Sequence, residues 1–260
     1  MCAKTTGGSA EAKRRAGERA AKAVEDGMVV GLGTGSTTAY AIEAIGRAVA
    51  DGLEVQGVPT SFQSRQLALE CEIPLTDLDA VSGVDLAIDG ADQVVDGGDD
   101  RDGTAPGHAG PDSEHTDDEG EHTGADGDLI KGGGGAHTRE KLIAAAADRF
   151  LVVADPTKCT PVLERPVPVE AIPAAHTVVA DRVRDLGGDP TLRLASHKDG
   201  PVVTDNGNFV LDCAFGPIDD AKPLEQALSS TPGVLEHGLF LEMADTVYIG
   251  TEDGVDVRQY

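Results

Sequence analysis

The 260-residue sequence predicts an α/β protein in which a parallel-sheet domain carries an inserted, smaller α+β domain. Short apolar runs that read as buried strands alternate with segments of helical periodicity from residue 9 to residue 154. Polar residues follow three of these runs directly, after Leu32, Ile88 and Ala154. From Pro166 onwards the pattern changes to short strands and an Asn-Gly turn. Strands that alternate with helices favour a parallel sheet covered by helices on both faces.

The parallel-sheet part is predicted element by element. Gly27 ends the first helical segment, and Ser61 and Thr138 are positioned to cap later helices. The predicted helices are 9–25, 39–49, 61–71 and 138–147, and the predicted strands are 28–32, 55–58, 84–88 and 150–154. This alternation is typical of a Rossmann-like domain, in which ligands bind outside the carboxyl ends of the strands.

The later part of the chain reads as a small α+β domain, residues 166–236. The predicted strands are 167–169, 191–194 and 201–211, with a hairpin turn at Asn206-Gly207, and the predicted helices are 174–186 and 220–229. Strands at 247–250 and 255–258 return the chain to the first sheet. We therefore expect a Rossmann-like domain of residues 1–165 and 237–260 that is interrupted by residues 166–236.

Residues 96–128 break the α/β pattern. They are rich in Asp, Gly, Glu, His and Thr and contain Arg101 as their single basic residue, which predicts a disordered acidic insert. His108, His115 and His122 recur every seven residues among carboxylates and could in principle bind a divalent metal. Because no ordered scaffold would fix these imidazoles, we interpret the segment as a solvated loop and expect no metal site.

The composition is strongly acidic, with 46 Asp and Glu against 21 Lys and Arg and a formal charge of −25. This charge argues against nucleic acid or an anionic membrane as a partner, and the absence of Trp removes a platform for stacking bases. An anionic substrate would need a local cluster of Lys and backbone N–H groups. Since most of the acidic excess is Asp, we hypothesise a working environment of high ionic strength.

Cysteine spacing and apolar runs indicate the compartment. Cys2, Cys71, Cys159 and Cys213 are scattered without a C-x-x-C pair, so neither a zinc site nor a disulfide framework is predicted. The sequence shows no N-terminal signal pattern and no run of the roughly 18 apolar residues that a membrane span needs. We therefore expect a cytoplasmic protein.

The first polar cluster runs from Gly31 to Thr37 and reads Gly-Leu-Gly-Thr-Gly-Ser-Thr. It offers backbone N–H groups and hydroxyls at the start of a helix, which favours a phosphate. It departs from the dinucleotide fingerprint because Ser36 stands at the sixth position, so a nicotinamide site is only weakly indicated.

Two further clusters carry carboxylates. Asp89-Gly90-Ala91-Asp92 could bind a metal, orient sugar hydroxyls or move protons, or it could be a turn stabilised by Asp side chains. The stretch from Lys131 to Lys141 combines a cation, four glycines and Glu140 in the first turn of the predicted helix. An ordinary Gly-rich loop before a helix is the alternative. A base, a fixed cation and backbone N–H groups are together what a proton transfer requires.

In this order, the clusters resemble those of ribose-5-phosphate isomerase, type A. The resemblance also rests on Asp155 with Lys158 and on the stretches 168–170, 203–208 and 232–234, and it runs from Lys13 to Gly254. The acidic insert is the main departure from the family pattern, because it places unusually many residues between the second and third clusters.

The resemblance implies reversible conversion of ribose 5-phosphate to ribulose 5-phosphate through an enediolate, without a metal or an organic cofactor. It implies Glu140 as the base, Lys131 and the amides of residues 132–134 as stabilisers of the enediolate, and Asp89 and Asp92 as holders of sugar hydroxyls. Asp89 is the better candidate for assisting ring opening. The implied substrate-binding residues are Lys13, Thr34, Gly35, Ser36, Thr37, Asp89, Gly90, Ala91, Asp92, Lys131, Gly132, Gly133, Gly134 and Lys158. By analogy, a homodimer or homotetramer is expected.

Two other functions stay open at the level of sequence. A sugar-phosphate sensor domain would keep the phosphate loop and need no base, but such sensors usually carry a DNA-binding helix-turn-helix, and only one helix fits before the first strand. A dehydrogenase would need the complete dinucleotide fingerprint.

Overall fold

The computed structural model of this protein describes residues 8–96 and 126–260. Its helices are α1 (Ala10–Ala21), α2 (Ser36–Ala50), α3 (Phe62–Glu70), α4 (His137–Ala145), α5 (His176–Asp185) and α6 (Ala221–Ser229). Its strands are β1 (Val29–Leu32), β2 (Gln56–Pro59), β3 (Leu86–Gly90), β4 (Gln93–Val95), β5 (Leu129–Ile130), β6 (Phe150–Ala154), β7 (Cys159–Thr160), β8 (Val167–Ala171), β9 (Asp189–Leu192), β10 (Phe209–Ala214), β11 (Val234–His237), β12 (Leu239–Phe240), β13 (Thr246–Gly250) and β14 (Val255–Gln259).

The central sheet has the strand order β14-β13-β6-β3-β1-β2. The five strands from β13 to β2 in this order are mutually parallel, and the edge strand β14 is antiparallel to β13. The strands are apolar because helices cover the sheet, and Val30, Leu32, Ile88 and Leu151 pack in one buried cluster with residues of α1 and α2. This arrangement confirms the predicted Rossmann-like α/β sheet, and it sets the carboxyl ends of β1 and β3 side by side.

The second sheet is antiparallel, with the order β11-β8-β10-β9, and helices α5 and α6 pack against it. The predicted hairpin turn is present, since the N–H of Thr204 donates to the carbonyl of Asn208 and Val203 pairs with Phe209. These strands fall between residues 167 and 237, within the segment predicted as a separate α+β domain. The domain boundaries at 166 and 236 stay a prediction.

A third sheet, β12-β5-β4-β7, is not indicated by the sequence pattern, because its strands have only two or three residues. It corrects the ends of the predicted insert: the Val95 N–H donates to the carbonyl of Asp128 at 2.8 Å, and the Gly127 N–H donates to that of Val95 at 3.0 Å. Asp96 and residues 126–128 therefore belong to the fold. Residues 97–125, with the three histidines of the heptad-spaced pattern, lie outside the described residues.

Two further findings concern the described parts of the chain. Cys71, Cys159 and Cys213 carry free thiols there. In the same ranges, no helix combines the length and the apolar character that crossing a bilayer requires.

Candidate active site

A cavity of about 340 Å³ opens at the carboxyl ends of β1 and β3. Its walls are the loop between β1 and α2, the turn after β3, the loop between β5 and α4, and side chains of α1, α3 and α4. The lining residues are Lys13, Thr34, Gly35, Ser36, Thr37, Thr38, Gln63, Gly90, Ala91, Asp92, Lys131, Gly132, Gly133, Gly134, Glu140 and Lys158. The structure thus brings the three polar clusters together with the two predicted lysines. Among the predicted site residues, Asp89 alone is not part of this lining.

Asp89 lies beneath the floor of the cavity and is 2% exposed. Its Oδ1 accepts hydrogen bonds from the backbone N–H of Thr34 at 2.9 Å and of Gly90 at 2.7 Å. A glycine is required at position 33, because a Cβ on Gly33 would stand 2.2 Å from the same carboxylate oxygen. Asp89 therefore connects the end of β3 to the Gly-rich loop between β1 and α2.

Lys131 follows β5 directly, and its ammonium group lies between two buried carboxylates. Its Nζ is 3.0 Å from Oδ2 of Asp89 and 3.5 Å from Oε2 of Glu140. It also donates to the carbonyl of Gly90 and lies 5.4 Å from the ring centre of Phe240. The side chains of the lysine and the two acids are at most 5% exposed, so these charges interact where bulk water screens them little.

Burial and the charge of Asp89 raise the pKa of Glu140 to about 8, although Lys131 opposes this shift. Burial also raises the pKa of Asp89, against the opposing effects of Lys131 and the two backbone N–H donors. Burial by itself would lower the pKa of Lys131, but the two carboxylates outweigh it and the pKa rises. Lys131 therefore stays protonated, and it lies beside the carboxyl group of Glu140, which exchanges its proton in the slightly alkaline range.

Anion-binding groups line the same cavity. Helix α2 begins at Ser36 after Gly35, which has no side chain to cap the helix. The N–H groups of the first turn are therefore available to an anion, together with the hydroxyls of Ser36 and Thr37. Lys13 and Lys158 add positive charge. Burial lowers the pKa of Lys158. In a chain with a net charge of −25, these groups provide the local cationic surface that an anionic ligand needs.

Helix α4 carries Glu140 on its first turn, but it does not begin as predicted. The helix starts at His137 and its N-cap residue is Ala136, so the prediction that Thr138 caps the helix is wrong. Thr138 lies inside the first turn, and its hydroxyl donates instead to the carboxylate of Glu170 in β8. A long-range partner has thus replaced the local one.

Glu170 is fully buried and collects several donors. Besides Thr138, the hydroxyl of Thr204 donates to it at 2.6 Å, and the side-chain amides of Asn206 and Asn208 donate at 3.1 Å and 3.0 Å. Burial would raise the pKa of this carboxyl, but the hydrogen bonds outweigh burial and hold the pKa below its ordinary value. The ionised carboxylate joins the start of α4 to the second sheet. The stretches 168–170 and 203–208, which carry part of the family resemblance, supply this carboxylate and three of its hydrogen-bond donors.

The sequence reasoning missed four residues around the cavity. Thr38 and Gln63 are part of the lining, and Arg193 with its partner Asp212 contacts the Gly-rich loop from the second sheet. Thr38 could have been found, because it follows Thr37 in the first turn of α2. Gln63 and the arginine pair come from elements that no local pattern connects with the site.

Comparison with known proteins shows that the chain is similar to one enzyme family along most of its length. The family model of ribose 5-phosphate isomerase A (phosphoriboisomerase A) matches residues 56–99 and 116–254, and the stretch it skips falls between β4 and β5. A ribose-5-phosphate isomerase A from Haloarcula marismortui is 60% identical over 252 residues, which is 97% of this chain and 97% of that protein.

Two solved structures resemble the fold along almost the whole chain. Ribose 5-phosphate isomerase A from Methanocaldococcus jannaschii is 40% identical, has a TM-score of 0.81 and is covered to 98%, with 96% of this chain matched. A D-ribose-5-phosphate isomerase in complex with phospho-erythronic acid is 39% identical and has a TM-score of 0.82, with the same coverage of both chains.

Proposed function

Because the chain belongs to the ribose 5-phosphate isomerase A family, we propose that it interconverts ribose 5-phosphate and ribulose 5-phosphate in the pentose phosphate pathway, with Glu140 as the base. The observation that carries this proposal is the buried ammonium of Lys131, 3.0 Å from Asp89 and 3.5 Å from Glu140. This arrangement supports the proposal, because a carboxyl group and a fixed cation share one cavity with anion-binding groups, and an aldose–ketose isomerase of a sugar phosphate needs these parts.

In the forward direction, Glu140 removes the proton from C2 of the open-chain aldose. The C1 carbonyl oxygen then takes up negative charge, and Lys131 with backbone N–H groups of the Gly-rich loop stabilises that enediolate. Glu140 returns the proton to C1, while the hydroxyl at C2 becomes the new carbonyl and its proton passes to the oxygen on C1. Atoms balance, and the reaction needs no redox partner.

The remaining residues hold the substrate. Ser36, Thr37, Lys13 and Lys158 bind the phosphate, while Asp92 lines the cavity and meets the sugar hydroxyls. The place of Asp89 under the floor favours a role in orienting Lys131 over direct contact with the hydroxyls or assistance in ring opening. Its roles and those of the other site residues are part of the proposal.

The direct test is ketose formation from ribose 5-phosphate by the purified protein, with a chelator present and no nucleotide added. We expect turnover with ribose 5-phosphate and little with free ribose, because the phosphate-binding groups would have no partner. Absence of ketose at every salt concentration would contradict the proposal. Activity that disappears with the chelator would contradict the expectation that no metal is needed.

The pH dependence of kcat/KM provides a second test. Since the pKa of Glu140 is raised to about 8 in the free protein, the carboxyl is protonated and inactive as a base at lower pH. We expect kcat/KM to rise about tenfold per pH unit below pH ~8 and to level off above it, because this parameter reports the free enzyme. The substrate phosphate titrates near pH ~6 and would bend the curve separately. A flat profile between these two values would argue against Glu140 as the base.

The proposal has three further parts. Phospho-erythronic acid, which the related isomerase binds, is expected to bind here as well, because its carboxylate carries negative charge where the enediolate would. A cytoplasmic location and a homodimer or homotetramer are proposed by analogy with the family. The acidic composition accords with relatives such as that from Haloarcula marismortui, which supports a working environment rich in salt.

A further inference from the structure

Arg193 reaches the Gly-rich loop from the second sheet, directly after β9. Its backbone is held on both sides, since its N–H donates to the carbonyl of Val210 at 2.9 Å and its carbonyl accepts from Val202 at 2.8 Å. Its side chain is only 12% exposed and forms a two-point ion pair with Asp212, in which Nε donates to Oδ2 at 2.9 Å and Nη2 donates to Oδ1. The guanidinium plane is therefore fixed before it meets the loop.

The remaining nitrogen of this guanidinium is directed at two consecutive peptide groups. Nη1 donates to the carbonyl of Gly132 at 3.1 Å and to that of Gly133 at 3.2 Å. Because a trans peptide points its C=O and its N–H in opposite directions, carbonyls that face Arg193 turn the N–H groups of Gly133 and Gly134 away from it. The N–H of Gly133 accordingly donates to Oδ2 of Asp92 at 2.6 Å, on the cavity side.

Peptide groups between glycines need such hydrogen bonds to keep one orientation. Gly132 has φ of +99°, a conformation that side chains rarely allow, and without side chains a peptide between glycines rotates at little steric cost. A rotated peptide would turn a carbonyl oxygen towards the cavity in place of an N–H donor. That oxygen would repel an enediolate that the donor would otherwise stabilise.

We propose that Arg193, oriented by Asp212, is a positioning residue that holds both peptides in this orientation. The Gly133 N–H then stays on Asp92, and the Gly134 N–H is directed into the cavity, where it binds the anionic transition state. The inference rests on the proposed isomerase activity and adds to it a residue of the second sheet. It assigns to Arg193 no contact with the substrate, so its removal affects the chemical step more than substrate binding.

The test compares Arg193→Ala and Arg193→Met with wild type at constant ionic strength. We expect kcat to fall about tenfold to a hundredfold while KM for ribose 5-phosphate stays within a few-fold, since small displacements of catalytic groups have effects of this size. Phospho-erythronic acid should bind more weakly in proportion to the loss of kcat/KM, while the affinity for inorganic phosphate is retained. Millimolar guanidinium chloride should restore part of kcat in Arg193→Ala, which leaves space for the ion, and not in Arg193→Met.

Arg184→Met is the matched control, because Arg184 belongs to an exposed ion pair with Asp181 at 2.7 Å and lies on α5. It should keep wild-type kcat. The proposal is overturned if Arg193→Ala and Arg193→Met retain wild-type kcat, or if phosphate and phospho-erythronic acid bind equally weakly and guanidinium restores nothing, since that indicates a general loss of structure. A wild-type chain without isomerase activity would contradict the proposed function instead, and the selective loss of phospho-erythronic acid binding would then decide on Arg193.

Discussion

Glu140→Gln is expected to lower kcat by at least about 10²-fold and to leave KM for ribose 5-phosphate nearly unchanged, because it removes the base but none of the phosphate-binding groups. Glutamine has the shape of the protonated carboxyl, the form that Glu140 holds below pH ~8. The variant should therefore fold with the Lys131–Asp89 ion pair intact. Steady-state kinetics above pH ~8, where wild type is fully active, give the largest contrast.

A stability measurement separates loss of the base from loss of structure. The pKa of Glu140 is higher in the folded protein than the ordinary value of 4.5, so wild type loses stability as the pH rises from the unfolded value towards the folded one. The variant lacks this loss and should gain in melting temperature relative to wild type across that window. Glu70→Gln, on the exposed end of α3, should change neither property. Wild-type kcat in Glu140→Gln would refute the assignment of the base.

Lys131→Met should have the second large effect, on activity and stability together. Removal of the ammonium takes away the cation that stabilises the enediolate, for which we expect a loss of about 10²- to 10³-fold in kcat. It also leaves Asp89 and Glu140 buried without their shared partner, and breaking a buried ion pair on one side costs about 3–5 kcal/mol. Protonation of the two acids would reduce this cost, so the destabilisation should be smaller at low pH and grow as the pH rises.

Thermal unfolding at several pH values, together with kcat, measures both parts of that prediction. Lys222→Met is a suitable control, because Lys222 pairs with Glu242 at 3.2 Å on the surface, where the two side chains are 60% and 67% exposed. A surface pair of this kind contributes little, so the control should behave as wild type. If Lys131→Met were as stable as the control at high pH, the two buried acids would not depend on Lys131 for their compensation.

The parallel sheet could be predicted because each of its strands is a short apolar run that ends at polar residues. The predicted strand at 150–154 coincides with β6, Phe150–Ala154, and the predicted Ser61 cap is present as a capping box. The third sheet could not be predicted, since strands of two or three residues carry no periodicity. Thr138 has the side chain of a good cap, but Glu170, buried in β8, is the stronger partner for its hydroxyl.

The candidate site follows the same division between local and long-range information. The polar residues after Leu32, Ile88 and Ala154 could be predicted to converge because parallel strands bring their carboxyl ends to one edge of the sheet. Lys131 joins them from β5 of the third sheet, which the sequence pattern does not indicate. The depth of Asp89 could not be predicted, because it depends on how closely Gly33 approaches it. The role of Arg193 could not be predicted from the sequence, because its hydrogen bond to the carbonyl of Gly133 joins residues 60 positions apart. An isolated arginine after a strand has many possible partners.

The short pairing between β4 and β5 fixes the positions of catalytic residues independently of how many residues connect the two strands. Gln93 lies opposite Ile130, and the N–H of Asp92 donates to the carbonyl of Ile130 at 2.8 Å, so Asp92 and Lys131 emerge together from one two-stranded ladder. Extending a loop beyond such a ladder adds a free-energy cost that grows only with the logarithm of its length. A change in the number of residues between β4 and β5 should therefore cost little stability, and an affinity tag or a reporter peptide inserted there should leave the spacing of the catalytic groups unchanged.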